Sequence, residues 1–124
     1  MKFSIESKQG HARAGSLTVN SKTINTPAFM TIGTYGSVKT MDSYDLKKCN
    51  VEIILSNAFH LMLRPGTDLI EKVGGLHQLM NWDGLILTDS GGYQVFSLGK
   101  DVKISRKGAE FRSPFNGDKV FMSP

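Results

Sequence analysis

Leu85-Ile86-Leu87-Thr88-Asp89-Ser90-Gly91-Gly92-Tyr93-Gln94-Val95-Phe96-Ser97-Leu98 is the stretch on which the reading of this chain turns. An apolar strand, Leu85 to Leu87, delivers a carboxylate to its C-terminal end, and two glycines, an aromatic and an amide follow. Such an order suits a pocket for a flat, polar ring. Asp89 can hydrogen-bond ring nitrogens or move a proton. Gly91 and Gly92 let backbone N–H groups come close to a ligand, and Tyr93 can cover a ring face. Alone, an acid before Gly-Gly equally suits a turn cap; the whole run carries the stronger signal.

Working outward, Val51 to Leu55 is a second β-branched, apolar run of the kind found in buried parallel strands. It ends in Ser56-Asn57-Ala58-Phe59-His60. Polar residues therefore cluster at the C-terminal ends of both strands, and Asn57 is placed to orient Asp89. His60, between Phe59 and Leu61, reads as a satisfied core histidine. Between the strands, Pro65 suits the first turn of a helix that Gly74-Gly75 stops, and His77 to Trp82 suits a further turn. Upstream, Leu17 to Val19 and Thr23 to Thr26 flank Asn20-Ser21 as a hairpin within residues 15–29. Phe29 to Gly33 reads as a short strand, and Ser43 to Cys49 as a short helix capped by Asp42 or Ser43.

The tail changes character. Val102-Lys103-Ile104, Glu110-Phe111-Arg112 and Lys119-Val120-Phe121 alternate polar and apolar, with turn signals at Arg106-Lys107-Gly108 and Asn116-Gly117-Asp118. Residues 100–122 thus form a small antiparallel insertion. The cluster Lys100, Lys103, Arg106 and Lys107, opposed by Asp101, is either a solvated hairpin face or a phosphate contact.

At 124 residues the chain is at most one domain. Two parallel strands do not close a sheet, Ser123-Pro124 looks like a helix beginning, and a complete α/β barrel needs about 250 residues. The expectation is α/β: the N-terminal part of a TIM-like (β/α)8 barrel with an N-terminal hairpin and an inserted small antiparallel sheet. Residues 1–124 would then be a partial segment of one catalytic domain. No apolar run reaches membrane length, and Lys2, Glu6 and Lys8 interrupt any leader-like stretch. The one cysteine, Cys49, reads as a small buried hydrophobe and fits a reducing, cytoplasmic setting. The formal net charge of +4 permits a nucleic-acid partner without demanding one.

From about His11 onward the chain resembles the tRNA-guanine transglycosylases, the queuine tRNA-ribosyltransferase family. The matching blocks are Thr26-Pro27-Ala28-Phe29-Met30 with Gly33-Thr34, Val38-Lys39, Glu52-Ile53-Ile54-Leu55 with Asn57 and His60-Leu61, and Arg64-Pro65-Gly66. Gly74-Gly75-Leu76-His77, Met80-Asn81-Trp82-Asp83-Gly84, the run Leu87 to Leu98, and Phe111-Arg112-Ser113 with Asn116-Gly117 continue in the family's order. The resemblance implies a cytoplasmic pentosyltransferase of tRNA processing and queuosine biosynthesis. Such enzymes exchange guanine at the anticodon wobble position for a 7-deazaguanine, preQ1 or queuine, through a covalent tRNA intermediate. It implies that Asp89 binds the base edge as general acid/base, that Tyr93 stacks on the base, and that Ser90, Gly91, Gly92, Gln94 and Asn57 line the pocket.

Tyr35 stands where the family usually has glutamine or a similar polar residue, and Tyr93 keeps the ring where phenylalanine is commoner. Ala58 replaces a usual threonine, which predicts one hydrogen bond fewer to Asp89. The family's nucleophilic aspartate and its Cys-x-Cys-x-x-Cys plus His zinc site lie beyond this stretch, and His11, His60, His77 and Cys49 are too scattered to hold a metal. These residues alone are therefore expected to be inactive, with the tRNA anticodon loop and a guanine-like base as partners, no membrane, and dimers in full-length members. The rival reading is a non-catalytic subunit or module that holds tRNA or a base.

Overall fold

The computed structural model describes residues 1–123, the Lys100 side chain apart. The helix start expected at Ser123-Pro124 rests on Pro124, and that residue, like the Lys100 member of the basic cluster, lies outside the described residues.

Three three-stranded sheets organise the described residues. The first is an antiparallel meander of β1 (Lys2–Gln9), β2 (Ala12–Val19) and β3 (Lys22–Thr26). The expected hairpin is its β2–β3 half, and Asn20 takes the positive φ of 53° that the tight turn requires. β1 was not anticipated. It alternates Phe3-Ser4-Ile5 but leaves both apolar side chains about half exposed, so pairing with β2 rather than burial defines it.

The second sheet is parallel, in the order β4 (Thr31–Ile32), β5 (Ile53–Ser56), β6 (Leu85–Thr88). Strand alternation sorts its residues. On one face Ile54, fully buried, packs with Leu46, Trp82, Val38, Met41, Val51, Met80 and Ile86. On the other face Ile53 and Leu85 meet Ile24 of the meander, flanked by Leu17 and Val19. Burial on that second face stops there: Ile32 and Leu87, which continue it toward the strand C-termini, are 58% and 39% exposed. The strands are therefore not buried on both faces along their whole length.

Helices and turns join the strands. α1 (Ser43–Lys48) begins with a reciprocal capping box, in which the Asp45 N–H donates to Asp42 Oδ1 at 2.8 Å and the Asp42 N–H to Asp45 Oδ2 at 3.4 Å. Leu46 takes its inward position. Cys49 ends the helix as its C-cap and is exposed, which corrects the buried reading. α2 (Ala58–Leu61) runs on and breaks at Arg64 (φ −152°, ψ 124°), because the residue before a proline is pushed out of the helical region. Gly66 then turns at φ 98°, so α3 (Thr67–Lys72) starts after Pro65 rather than with it. α4 (Leu76–Leu79) precedes β6, and α5 (Gly92–Ser97) follows it.

The third sheet, β7 (Lys103–Ser105), β8 (Gly108–Arg112) and β9 (Lys119–Met122), is antiparallel. Phe111 docks on Phe59 with ring centroids 5.3 Å apart, and Val95 completes that buried cluster. Val120 and Met122 pack beside it. This core fastens the antiparallel sheet to α2 and α5, the two helices that carry the polar loops.

Candidate active site

β5 and β6 run side by side in register, Ser56 opposite Thr88. Their C-terminal extensions, Asn57 and Asp89, therefore emerge together. The ladder continues one step past the strands, with the Asp89 N–H donating to the Ser56 carbonyl at 3.3 Å. Parallel pairing alone thus brings two residues 32 positions apart within reach.

Asp89 is held by a cradle of donors. Asn57 Nδ2 donates to Oδ2 at 2.7 Å. The backbone N–H of Ala58, first residue of α2, donates to Oδ1 at 2.8 Å, and that of Gly91 at 3.2 Å. The replacement of threonine at position 58 does not strip the carboxylate of support from that residue, since the main chain supplies a donor there. Burial pushes the Asp89 carboxyl up, but the hydrogen bonds from Asn57, Ala58, Gly91 and Gln94 outweigh it and hold the group below its ordinary value of 3.8. At rest Asp89 is an ionised, acceptor-only group.

Gly91 enables this geometry. It sits in the left-handed region at φ 68°, and a Cβ there would lie 2.7 Å from Met122 Cε and 3.2 Å from Phe59 Cβ. Gly91 is thus a turn and packing residue closed off by protein atoms. Gly92, exposed at the start of α5, has Ser90 Oγ at 3.4 Å as the nearest atom to such a Cβ and remains open to a ligand. Ser90 is exposed, and its Oγ accepts the Gly92 N–H at 3.4 Å. Tyr93 projects from α5 at 79% exposure, a free ring beside the loop. Gln94 is half-buried, with an Oε1 that has no hydrogen-bond partner.

His60 is not the satisfied core histidine the sequence suggested. It is half-buried, its ring meets Tyr35 edge-on at 5.1 Å and Phe59 at 5.3 Å, and its Nδ1 has no partner. The backbone donors of Ala58 and Gly91 escaped sequence reading because an N–H carries no side-chain signature.

A parallel α/β sheet with a carboxylate cradled at its strand C-termini, a free aromatic ring alongside, defines a class: an α/β protein with an acidic site at its strand ends. Comparison narrows it. Residues 7–124 match the family model described as queuine tRNA-ribosyltransferase, and the chain belongs to that family. It is similar to the queuine tRNA-ribosyltransferase of Herminiimonas arsenicoxydans, at 56% identity over 124 residues, covering all of this chain and 33% of that protein. It is equally similar to the one from Vibrio campbellii, at 56% over 122 residues, covering 98% of this chain and 32% of that protein. The relative from Nitrosomonas eutropha is 56% identical over 124 residues, 34% of its length. The chain spans about a third of the length of these curated relatives.

Proposed function

We propose that this chain builds the base-reading half of a tRNA-guanine transglycosylase, a pentosyltransferase that exchanges guanine at the anticodon wobble position for a 7-deazaguanine. The observation that carries the reading is the ionised Asp89 in its cradle beside the exposed Tyr93. The edge of guanine presents a ring N–H and an amino group, both donors. An acceptor-only carboxylate complements that edge, and a stacked tyrosine adds sequence-tolerant affinity of about 1–3 kcal/mol.

A carboxylate offers about four acceptor positions, and Asn57, Ala58 and Gly91 engage three of them at rest, with the Gln94 amide nearby. The Ala58 and Gly91 donors are backbone and stay. The side-chain amides of Asn57 and Gln94 can rotate away, so they are the donors a base displaces. The base's own ring N–H and amino group replace those donors, while the burial that the ligand adds pushes the Asp89 carboxyl up, so that it can take a proton from solvent and pass it to the departing purine. The unpartnered Gln94 Oε1 marks that side chain as not yet fully engaged.

A TIM-like barrel whose N-terminal portion includes β4, β5 and β6 belongs to the same proposal. It is supported by the parallel order and by the exposed Ile32 and Leu87 on the face a barrel would close. An anticodon loop, whose bases can be splayed out, is the form of RNA such a site can reach. The implied zinc site uses cysteines and a histidine beyond residue 124. Among the described residues no three His, Cys, Asp or Glu side chains are placed to hold a metal. A cytoplasmic setting and dimers of the full-length protein complete the proposal; among the described residues no helix is long and apolar enough to cross a membrane.

The test is exchange of labelled guanine into tRNA. The nucleophilic aspartate is proposed to lie outside these residues, so residues 1–124 alone give no exchange and adding the remaining part restores it. Asp89→Ala in that mixture lowers the rate by about 10²–10⁴-fold. Wild-type exchange with Asp89→Asn removes the general acid/base role. RNA binding with no exchange in any combination returns the chain to a binding module.

A further inference from the structure

We infer that the hollow between α5 and the β7–β8 turn seats the nucleotide next to the one read at Asp89, with its base against Phe96 and its phosphate at Arg106 and Lys107. The inference rests on the RNA reading above. The hollow, about 280 Å³, shares Ser90 and Gly92 with the Asp89 loop, takes in Phe96 of α5 and Ile104 of β7, and reaches Ser105 and Gly108, which flank the turn. It is thus continuous with the candidate site. Its volume sits just below the ~300–1,000 Å³ of drug-sized pockets, a fit for one ring system.

The exposed surface around it has the two features that single-stranded RNA needs. The first is a second ring. Tyr93 and Phe96 are three residues apart on α5, hence on one helix face, and are 79% and 78% exposed. Successive bases of a splayed strand can lie on successive rings. Ile104, 78% exposed, extends the apolar wall from the opposite side. The second feature is unbalanced positive charge. Between Val102 and Met122 there are five cations, Lys103, Arg106, Lys107, Arg112 and Lys119, against Glu110 and Asp118. Among the described residues the ion pair is Lys47–Asp83, so neither Arg106 nor Lys107 is neutralised by a carboxylate. The turn that carries them is pinned. Ser105 Oγ donates to the Gly108 carbonyl at 3.0 Å and accepts the Lys107 N–H at 3.2 Å. A pinned, cationic turn at the rim of an apolar hollow matches a nucleotide: apolar face inward, phosphate outward.

The experiment measures binding of an anticodon stem-loop RNA and, separately, of free guanine, on the longest form in which the chain is expressed. Phe96→Ala is expected to weaken RNA binding roughly 5- to 100-fold and to leave guanine binding unchanged. The double variant Arg106→Ser with Lys107→Ser is expected to weaken RNA binding and to flatten the slope of log affinity against log salt by about 0.7, one single-strand phosphate contact. Unchanged RNA affinity and salt slope in both variants, with guanine still bound, would overturn the inference and leave the Asp89 reading intact. A drop in Tm for Phe96→Ala with normal RNA affinity would also overturn it, since the ring would then be covered by protein. RNA binding that depends on Phe96 and the turn in a protein that does not bind guanine would support this surface and remove the Asp89 reading instead.

Discussion

Removing the Asn57 amide probes the cradle most directly. Its hydrogen bond to Asp89 Oδ2 is short, 2.7 Å, and charge-assisted. Bonds to charged groups contribute about 1.5–3 kcal/mol when buried. Asp89 and Asn57 are only half-buried, so solvent screening brings the expected coupling down to about 1 kcal/mol. The clean measurement is a double-mutant cycle of Asn57→Ala, Asp89→Ala and the pair, by urea unfolding at pH 7. Asn57→Ala alone should cost about 1–2 kcal/mol, and markedly less once Asp89 is already alanine. The carboxyl titration of Asp89, followed by carbon-13 NMR, should move up toward its ordinary value in Asn57→Ala, because one of the donors that favours the charged form is gone. A coupling within about 0.3 kcal/mol of zero, with an unmoved titration, would refute the cradle as the source of Asp89's lowered pKa.

The two glycines of the loop should behave differently. Gly91→Ala meets a φ of 68° and a clash at Met122 Cε and Phe59 Cβ, and is expected to cost about 1–3 kcal/mol. Gly92→Ala meets only Ser90 Oγ at 3.4 Å at the start of a helix, and should be neutral or stabilising by at most about 1 kcal/mol. Equal losses in denaturant midpoint would sink that assignment. Stability should also depend on Asp89 in acid. Its folded pKa lies below its unfolded one, so its contribution is complete above the ordinary carboxylate value of 3.8 and is lost as pH falls through the folded value. The stability difference between pH 7 and pH 2.5 should therefore shrink in Asp89→Ala, and an unchanged difference would contradict the sign of the shift.

Much of the local structure was legible because local chemistry determines it. Asp42 was one of the two N-caps the sequence offered and caps the helix in the structure, Asn20 tolerates the left-handed turn, and the alternation around Phe111 and Val120 can face a core only one way. The pairing of Asn57 with Asp89 was also readable, since both follow strands of the same parallel sheet. The run from Leu87 to Leu98 was one of the blocks on which the resemblance rested, and the family model matches residues 7–124.

What tertiary structure decided were quantities that depend on distant partners. β1 exists through its pairing with β2, not through any burial of its own. Cys49 is exposed because Leu46 took the inward position of so short a helix. His60 ended beside Tyr35 with an unpaired nitrogen, which no property of its own neighbours in the chain specifies. Most of all, the direction in which the Asp89 carboxyl shifts was set by contacts. Composition supplies a carboxyl group, but whether burial or donors win depends on two backbone N–H groups and two amides that only the folded chain brings to it. Residue identity thus determined which chemistry is available here, and the packing of β5, β6 and α2 determined how firmly its charged form is held, because electrostatic energies depend on distance and burial and a sequence encodes neither directly.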